Sequence, residues 1–260
     1  MSLIKAVNTL MARNLQKLGY PTTDINWSLG YCQGDGSSFS GAIDIKAVGQ
    51  RLLPDISKEI WNSIDCDLEL IRPRDSRYVH EHSVGLNFDP QGVELTDASE
   101  FDGVAQKVAL YKLVCALEDD ILSASFKNTA DGYKLIESYV SEETLVWSFR
   151  TASFLVELFK IKDEDCNPFE FCDEGDQLDF AISKMLEGNI SIFCTKVVVS
   201  LLDDDGDAST VLAESYLGGI CCHSNDANLG GVRRDVVSEA IHMAREAYKK
   251  LLRPRLKAVA

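Results

Sequence analysis

His80-Glu81-His82 is the first stretch whose residue types could do chemistry. On a strand, alternation places Tyr78, His80, His82 and Val84 on one face. A His-x-His pair can hold zinc if a third ligand arrives from elsewhere, for example His223 or a cysteine. Its plainer reading is a hydrogen-bonded or solvent-facing pair. Asp203, Asp205 and Asp207 stand at positions one, three and five of a calcium-type loop, with Glu214 at position twelve. The pattern fails at position six, which is Ala208 where glycine is required, and its flanks read as strands. An acidic hairpin turn accounts for the same residues. Cys221-Cys222-His223 pairs thiols with a base, but neighbours on a strand point to opposite faces and do not converge.

Gln33-Gly34-Asp35-Gly36 raises the question of a phosphate loop. Such a loop needs successive glycines and a following helix whose N-terminus faces the anion. Phe39 stands where a dinucleotide fingerprint wants its third glycine, a strand pattern follows, and Asp35 would repel the phosphate. Gly-Asp-Gly fits a tight hairpin turn instead. Arg72, Arg74 and Arg77 around Pro73 form a small basic patch, read as a counterpart to surplus carboxylates. No catalytic residue is assigned, and no metal or other cofactor is expected.

Charge is the strongest global signal. The 260 residues carry 41 acids and 26 bases, for a net charge of -15. Such a chain is poorly suited to nucleic acid or an anionic membrane, and is drawn to basic protein surfaces. The distribution is uneven: residues 161–207 balance to -10, while those from Gly231 onward balance to +5. That asymmetry implies internal pairing or a two-signed interaction surface. The acids singled out for partner contact are Asp163, Glu164, Asp165, Glu170, Asp173, Glu174 and Asp176, with Asp203, Asp204, Asp205 and Asp207. Eight scattered cysteines without a CxxC pair read as small buried hydrophobes of a reducing compartment. The N-terminal residues show no signal-peptide pattern and no stretch is apolar enough to span a bilayer, so a cytoplasmic protein is expected.

The elements that must position these residues follow from periodicity. Ser2 caps a helix to Leu18 with Leu3, Val7, Leu10, Met11, Leu15 and Leu18 on one face, stopped by Gly19. Trp27, Leu29 and Tyr31 alternate into the Gly-Asp-Gly turn, and Phe39, Ile43 and Ile45 continue as strand. Pro54 opens a short helix to about Ile64. Asp67–Ile71, Arg77–Leu86 and Val93–Leu95 read as strands. The spacing of Val104, Val108, Tyr111, Val114 and Cys115 predicts a helix over 101–117. Residues 132–159 read as a second helical region, although Trp147, Phe149, Phe154 and Phe159 also fit strand. A polar loop over 163–176 leads to a helix over 177–186. A hairpin over 190–202 and 210–220 turns at Asp203–Asp207, and a helix spans 235–252. The fold class is α+β, antiparallel hairpins packed with helices at both ends of the chain. A division into 1–125 and 126–260 is expected, with 123–131 as the boundary, or one continuous domain. No short repeat appears beyond a loose echo of hairpins with Asp/Gly turns.

Tyr31-Cys32-Gln33-Gly34-Asp35-Gly36-Ser37-Ser38-Phe39, followed by Gly41, resembles a motif of uncharacterised phage and plasmid proteins. Arg77–Ser83 is similar to their second strand with spaced histidines. Leu217-Gly218-Gly219-Ile220 and the helix after it are similar to a C-terminal unit of other mobile-element proteins. Cys32 replaces an expected serine, and Ser37 and Ser38 replace alanine. The resemblance implies a mobile-element origin and transfers no catalytic residue. Together with the charge, it leads to the expectation of a non-enzymatic inhibitor of a host defence nucleoprotein complex, of the anti-CRISPR or antirestriction type. The partner would be a host protein with a basic surface, without direct nucleic-acid or membrane contact. The alternatives are a metal-dependent enzyme built on His80 and His82, and a phage or plasmid maintenance factor.

Overall fold

In the computed structural model, residues 2–64, 68–71, 85–86, 103–173 and 175–252 are described. Helix α1 (Ser2–Leu18) buries Val7, Leu10, Met11 and Leu15 completely. It ends where Gly19 turns to φ 79°, and the N–H of Tyr20 returns to the Leu15 carbonyl at 3.0 Å. Strands β1 (Asp24–Ser28) and β2 (Gly36–Ile43) pair antiparallel, with Ser28 opposite Gly36. The strand expected to continue through Ile45 stops at Ile43 instead. Asp44 accepts the N–H groups of Lys46 and Ala47 at 3.1 and 3.0 Å and caps helix α2 (Ile45–Leu52), which buries Ile45, Val48 and Gly49. Helix α3 (Lys58–Ser63) starts after Ser57, so Pro54 lies in the turn ahead of it and not in its first turn.

Strand β3 (Leu68–Ile71) pairs antiparallel with β2, and β4 (Gly85–Leu86) with β3. His80, His82, Arg72, Arg74, Arg77 and Glu174 lie outside the described residues, as does the strand expected near Val93. Helix α4 (Val104–Glu137) is continuous over 34 residues, so 123–131 lies within a helix. Its buried face is Ala109, Leu110, Leu113, Val114, Leu117, Ile121 and Ala124, while Val104, Val108 and Tyr111 are exposed. The expected helix is present and runs on to Glu137, and of the residues whose spacing announced it only Val114 is buried.

After α4 the ambiguous segment is strand. β5 (Thr144–Arg150) and β6 (Phe154–Ile161) form a hairpin, closed where the Thr151 N–H meets the Phe154 carbonyl at 2.8 Å. Helix α5 (Asp176–Leu186) leads into β7 (Ile190–Leu202) and β8 (Ala208–His223). A single 3-10 turn (Leu229–Gly231) precedes α6 (Arg233–Leu252).

The result is an α+β fold with two four-stranded antiparallel meanders, β1-β2-β3-β4 and β5-β6-β7-β8. Two compact units divide inside α4. One is Val7–Lys134, and the other is Leu135–Ala260 with Met1–Ala6. A similar order of elements occurs twice: helix, strand pair, helix, strand pair, helix, with two helices (α2 and α3) between the first strand pairs and one (α5) between the second, and with α4 closing the first series and opening the second. The loose echo in the sequence thus has a counterpart in topology. The first unit's core joins Phe39, Trp61, Leu68, Leu70, Leu113 and Leu117. The second joins Val156, Leu158, Phe193, Val197 and Val199 to Val236, Ala240 and Ala244 of α6. Two alanines on that helix let it approach the sheet closely. No described helix is long and apolar enough to cross a membrane.

Candidate functional site

The acidic groups sit in two places on the β5–β8 sheet. The first is the loop between β6 and α5. Asp163 turns inward: one carboxylate oxygen accepts the N–H groups of Asp165 and Cys166, both at 3.1 Å, and the other accepts the Gly219 N–H at 2.7 Å. A Cβ on Gly218 would stand 2.9 Å from that second oxygen, so the two glycines of β8 let the backbone come within reach. Phe169 and Cys166 are buried, and Tyr139 donates to the Cys166 carbonyl at 2.8 Å. The loop is therefore fastened at several points. Glu164 pairs with Lys162, whose hydrogen bond and charge hold its carboxyl below the usual range. Asp165, Glu170 and Asp173 are exposed, and Asp176 opens α5, where the helix dipole favours a negative charge.

The second place is the β7–β8 turn. Asp203 accepts the N–H groups of Asp205 and Asp207 at 3.1 and 2.8 Å, and Arg150 donates to the Gly206 carbonyl. Asp204, Asp205 and Asp207 stay exposed. Glu214 lies up the strand opposite Val198 and accepts from the Tyr216 hydroxyl at 3.0 Å. The calcium-type spacing is thus not folded into a coordination loop, and among the described residues no group of three acids, histidines or cysteines could hold a metal.

These two places are not one patch. The loop leaves β6 after Ile161, opposite Cys194, whereas the turn lies beyond Phe154 opposite Leu201. Seven residues of strand separate those levels, about 23 Å at the usual rise. At Cys221-Cys222-His223 the expected divergence holds: Cys222 is buried while Cys221 and His223 are exposed. Burial pushes the Cys222 thiol up, away from the thiolate that a nucleophile needs.

The Gln-Gly-Asp-Gly stretch is more than a tight turn. Strand pairing stops at Ser28 and Gly36, so the connection is the whole segment Leu29–Asp35. Asp35 sits at its centre. Its carboxylate accepts the N–H of Gly30 at 2.8 Å, the N–H of Cys32 at 2.9 Å and the Ser28 hydroxyl at 2.8 Å, together with the Tyr133 hydroxyl of α4. The Tyr133 hydrogen bond, followed by that from the Cys32 N–H, holds the Asp35 carboxyl well below its usual range. Leu29 packs so closely on α4 that a Cβ on Gly132 would lie 2.7 Å from its Cδ1. Tyr31, at φ 57°, is held in the left-handed region, exposed, with its ring 4.5 Å from that of Tyr133. A phosphate has no place where a carboxylate already takes the loop's N–H groups. The arrangement does no evident chemistry; it stiffens a loop and displays an aromatic ring.

The Cys32 thiol also donates to Asp35, at 3.3 Å, and this hydrogen bond raises its pKa. Asp35→Ala should therefore raise the thiolate fraction of Cys32 and speed its alkylation at neutral pH. Timed iodoacetamide labelling with peptide mapping separates it from the exposed Cys115 and Cys221. An unchanged Cys32 rate would show that Asp35 does not restrain the thiol. Compared with known proteins, the chain matches no family model, no curated protein and no solved structure.

Proposed function

We propose that the protein is a non-enzymatic binding protein that works by protein–protein contact, presenting ordered carboxylates to a basic surface. The observation that carries this reading is the division of labour among the acids. Asp163 turns inward to β8, and Asp203, itself exposed, ties the backbone of its own turn, while Asp165, Glu170 and Asp173 on one segment and Asp204, Asp205 and Asp207 on the other are exposed. Charges held on fastened loops lose little conformational freedom on binding, which favours affinity as well as fast association. The partner class is a host defence nucleoprotein complex whose basic surface normally holds nucleic acid, and the source is a phage or plasmid. That part rests on net charge and on the resemblance of Tyr31–Phe39.

The test uses purified restriction and CRISPR effector complexes as probes, with binding measured across a salt series. The native protein should bind at least one of them, more weakly as salt rises. Reversing Asp165, Glu170 and Asp173 to lysine, or Asp204, Asp205 and Asp207, should weaken binding by about tenfold or more and flatten the salt dependence. Binding that ignores both sets of reversals, or no binding to any probe, would refute the proposal.

A further inference from the structure

Helix α4 is apolar on two opposite faces. Ala109, Leu113, Leu117, Ile121 and Ala124 enter the core of the Val7–Lys134 unit. On the other side Val104, Val108, Tyr111, Leu122 and Phe126 are 46–79% exposed, and Cys115 is exposed among them. At 3.6 residues per turn these six side chains leave the helix within about 40° of one direction, that of Cys115. They make a single stripe about 33 Å long at the usual rise. A helix face turned to water is ordinarily polar, and one that is apolar over such a length marks a contact surface.

The stripe has an internal symmetry that bears on its occupant. Cys115 is the centre. Val108 and Leu122 stand seven residues to either side of it, and Val104 and Phe126 eleven to either side. Each of these four apolar side chains therefore has an apolar counterpart at the same distance beyond Cys115. The charged residues are arranged as opposites. Lys112 comes three residues before Cys115 and Glu118 three after, while Tyr111 comes four before and Asp119 four after. Lys112, Glu118 and Asp119 are all exposed. Two copies of the helix laid antiparallel, about a twofold axis at Cys115, would set Val108 of one against Leu122 of the other and Val104 against Phe126. The same operation sets Lys112 against Glu118 and Tyr111 against Asp119. A parallel pair would instead set Lys112 beside Lys112 and Glu118 beside Glu118. An unrelated partner requires no such symmetry, whereas a second copy does.

We propose that α4 is the interface of a homodimer, its outer stripe packed antiparallel on the same stripe of a second copy about a twofold axis at Cys115. Such a contact uses one patch on both copies and closes, so assembly stops at two. One helix per copy is a small interface beside the standard of about 1,600 Å², so the dimer is weak and depends on concentration. The inference does not depend on the partner proposed above.

Sedimentation equilibrium of the purified full chain over a concentration series tests it without any partner. The native chain should pass from monomer to dimer and no further. Leu122→Glu and Val108→Glu should each weaken the dimer by about tenfold or more, because the twofold axis places each new charge in the seam twice. Both side chains are exposed, so circular dichroism should report unchanged folds. Lys112→Glu and Glu118→Lys should each weaken it by about fivefold, and the two combined in one chain should restore it, since opposite charges again meet across the axis. A bis-maleimide should join Cys115 of one copy to Cys115 of the other, resolved by peptide mapping from the exposed Cys32 and Cys221. A native chain that stays monomeric would mean that something other than a second copy covers the stripe, and would overturn the proposal. So would a dimer that ignores Leu122→Glu, a double charge swap that fails to restore, or cross-links that leave out Cys115. None of these outcomes bears on binding to a defence complex.

Discussion

Replacing Trp61 by alanine is expected to cost the Val7–Lys134 unit about 3–5 kcal/mol, the usual loss for a fully buried large aromatic residue. Trp61 has no exposed surface and lies on α3 within the cluster of Phe39, Leu68, Leu70, Leu113 and Leu117. Its ring lies flush against α2: a Cβ on Gly49 would stand 2.7 Å from both Cδ2 and Cε3. Glycine inside a helix costs about 1 kcal/mol relative to alanine, and this close approach is what offsets it. Neither backbone can simply collapse into the void, because each is fixed by its own helical turn. Domains are stable by only about 5–15 kcal/mol, so the variant should lie near the unfolding threshold. Trp61→Phe should lose less, since it keeps an aromatic ring and deletes an Nε1–H that is buried without a partner among the described residues. Urea melts followed by circular dichroism measure both variants. A loss below about 1 kcal/mol for Trp61→Ala would mean that the site is not packed as described.

Much of the architecture was legible where a single period and a strong stop agree. In α1 the stripe Val7, Leu10, Met11 and Leu15 runs into Gly19, and the β7–β8 hairpin turns at a run of aspartates around Gly206. The helix α4 shows what periodicity cannot decide. Val104, Val108, Tyr111 and Cys115 keep helical spacing as well as Ala109, Leu113, Leu117 and Ile121 do, and only the second set is buried. Which apolar face turns inward is settled by distant elements. The β5–β6 hairpin was ambiguous because its aromatic residues satisfy both helical and strand spacing. At the candidate sites the limit was separation along the chain. Asp35 was visible as a turn residue, but its partner Tyr133 lies 98 residues away. Asp163 reads as one acid among many until Gly219, 56 residues on, is seen to donate to it.

Asp120→Ala should be the second large loss, about 2 kcal/mol, and it should change how stability responds to acid. Arg51 of α2 grips Asp120 of α4 with both terminal nitrogens, at 3.0 and 2.6 Å, while its Nε donates to the Leu18 carbonyl at the end of α1 at 3.1 Å. Tyr20 donates to the same carboxylate, and its ring lies 5.5 Å from the guanidinium. The Arg51 guanidinium thus ties α2 to α1 and, through this carboxylate, to α4. Removing it strands a guanidinium whose side chain is only 28% exposed, which is the costly way to break an ion pair. A fully buried pair would cost about 3–5 kcal/mol; partial solvent access to both groups lowers the figure here. Burial works to raise the Asp120 carboxyl, but the hydrogen bonds from Arg51 and Tyr20 outweigh it and hold the carboxyl below its ordinary value. A folded pKa below the unfolded one, near 3.9, means that this stability is fully present above about pH 4 and is lost as pH falls through the folded value. Asp120→Asn, nearly the same size, should therefore be less stable than the native chain at neutral pH. The difference should shrink toward the acid limit, where the native carboxyl is protonated too. Arg51→Lys should recover little, because an ammonium cannot make the two-pronged contact or reach Leu18 at the same time. Urea midpoints for all three variants between pH 7 and 3 would decide the matter. A native-to-Asn gap that stays constant over that range would show that Asp120 carries no linked proton.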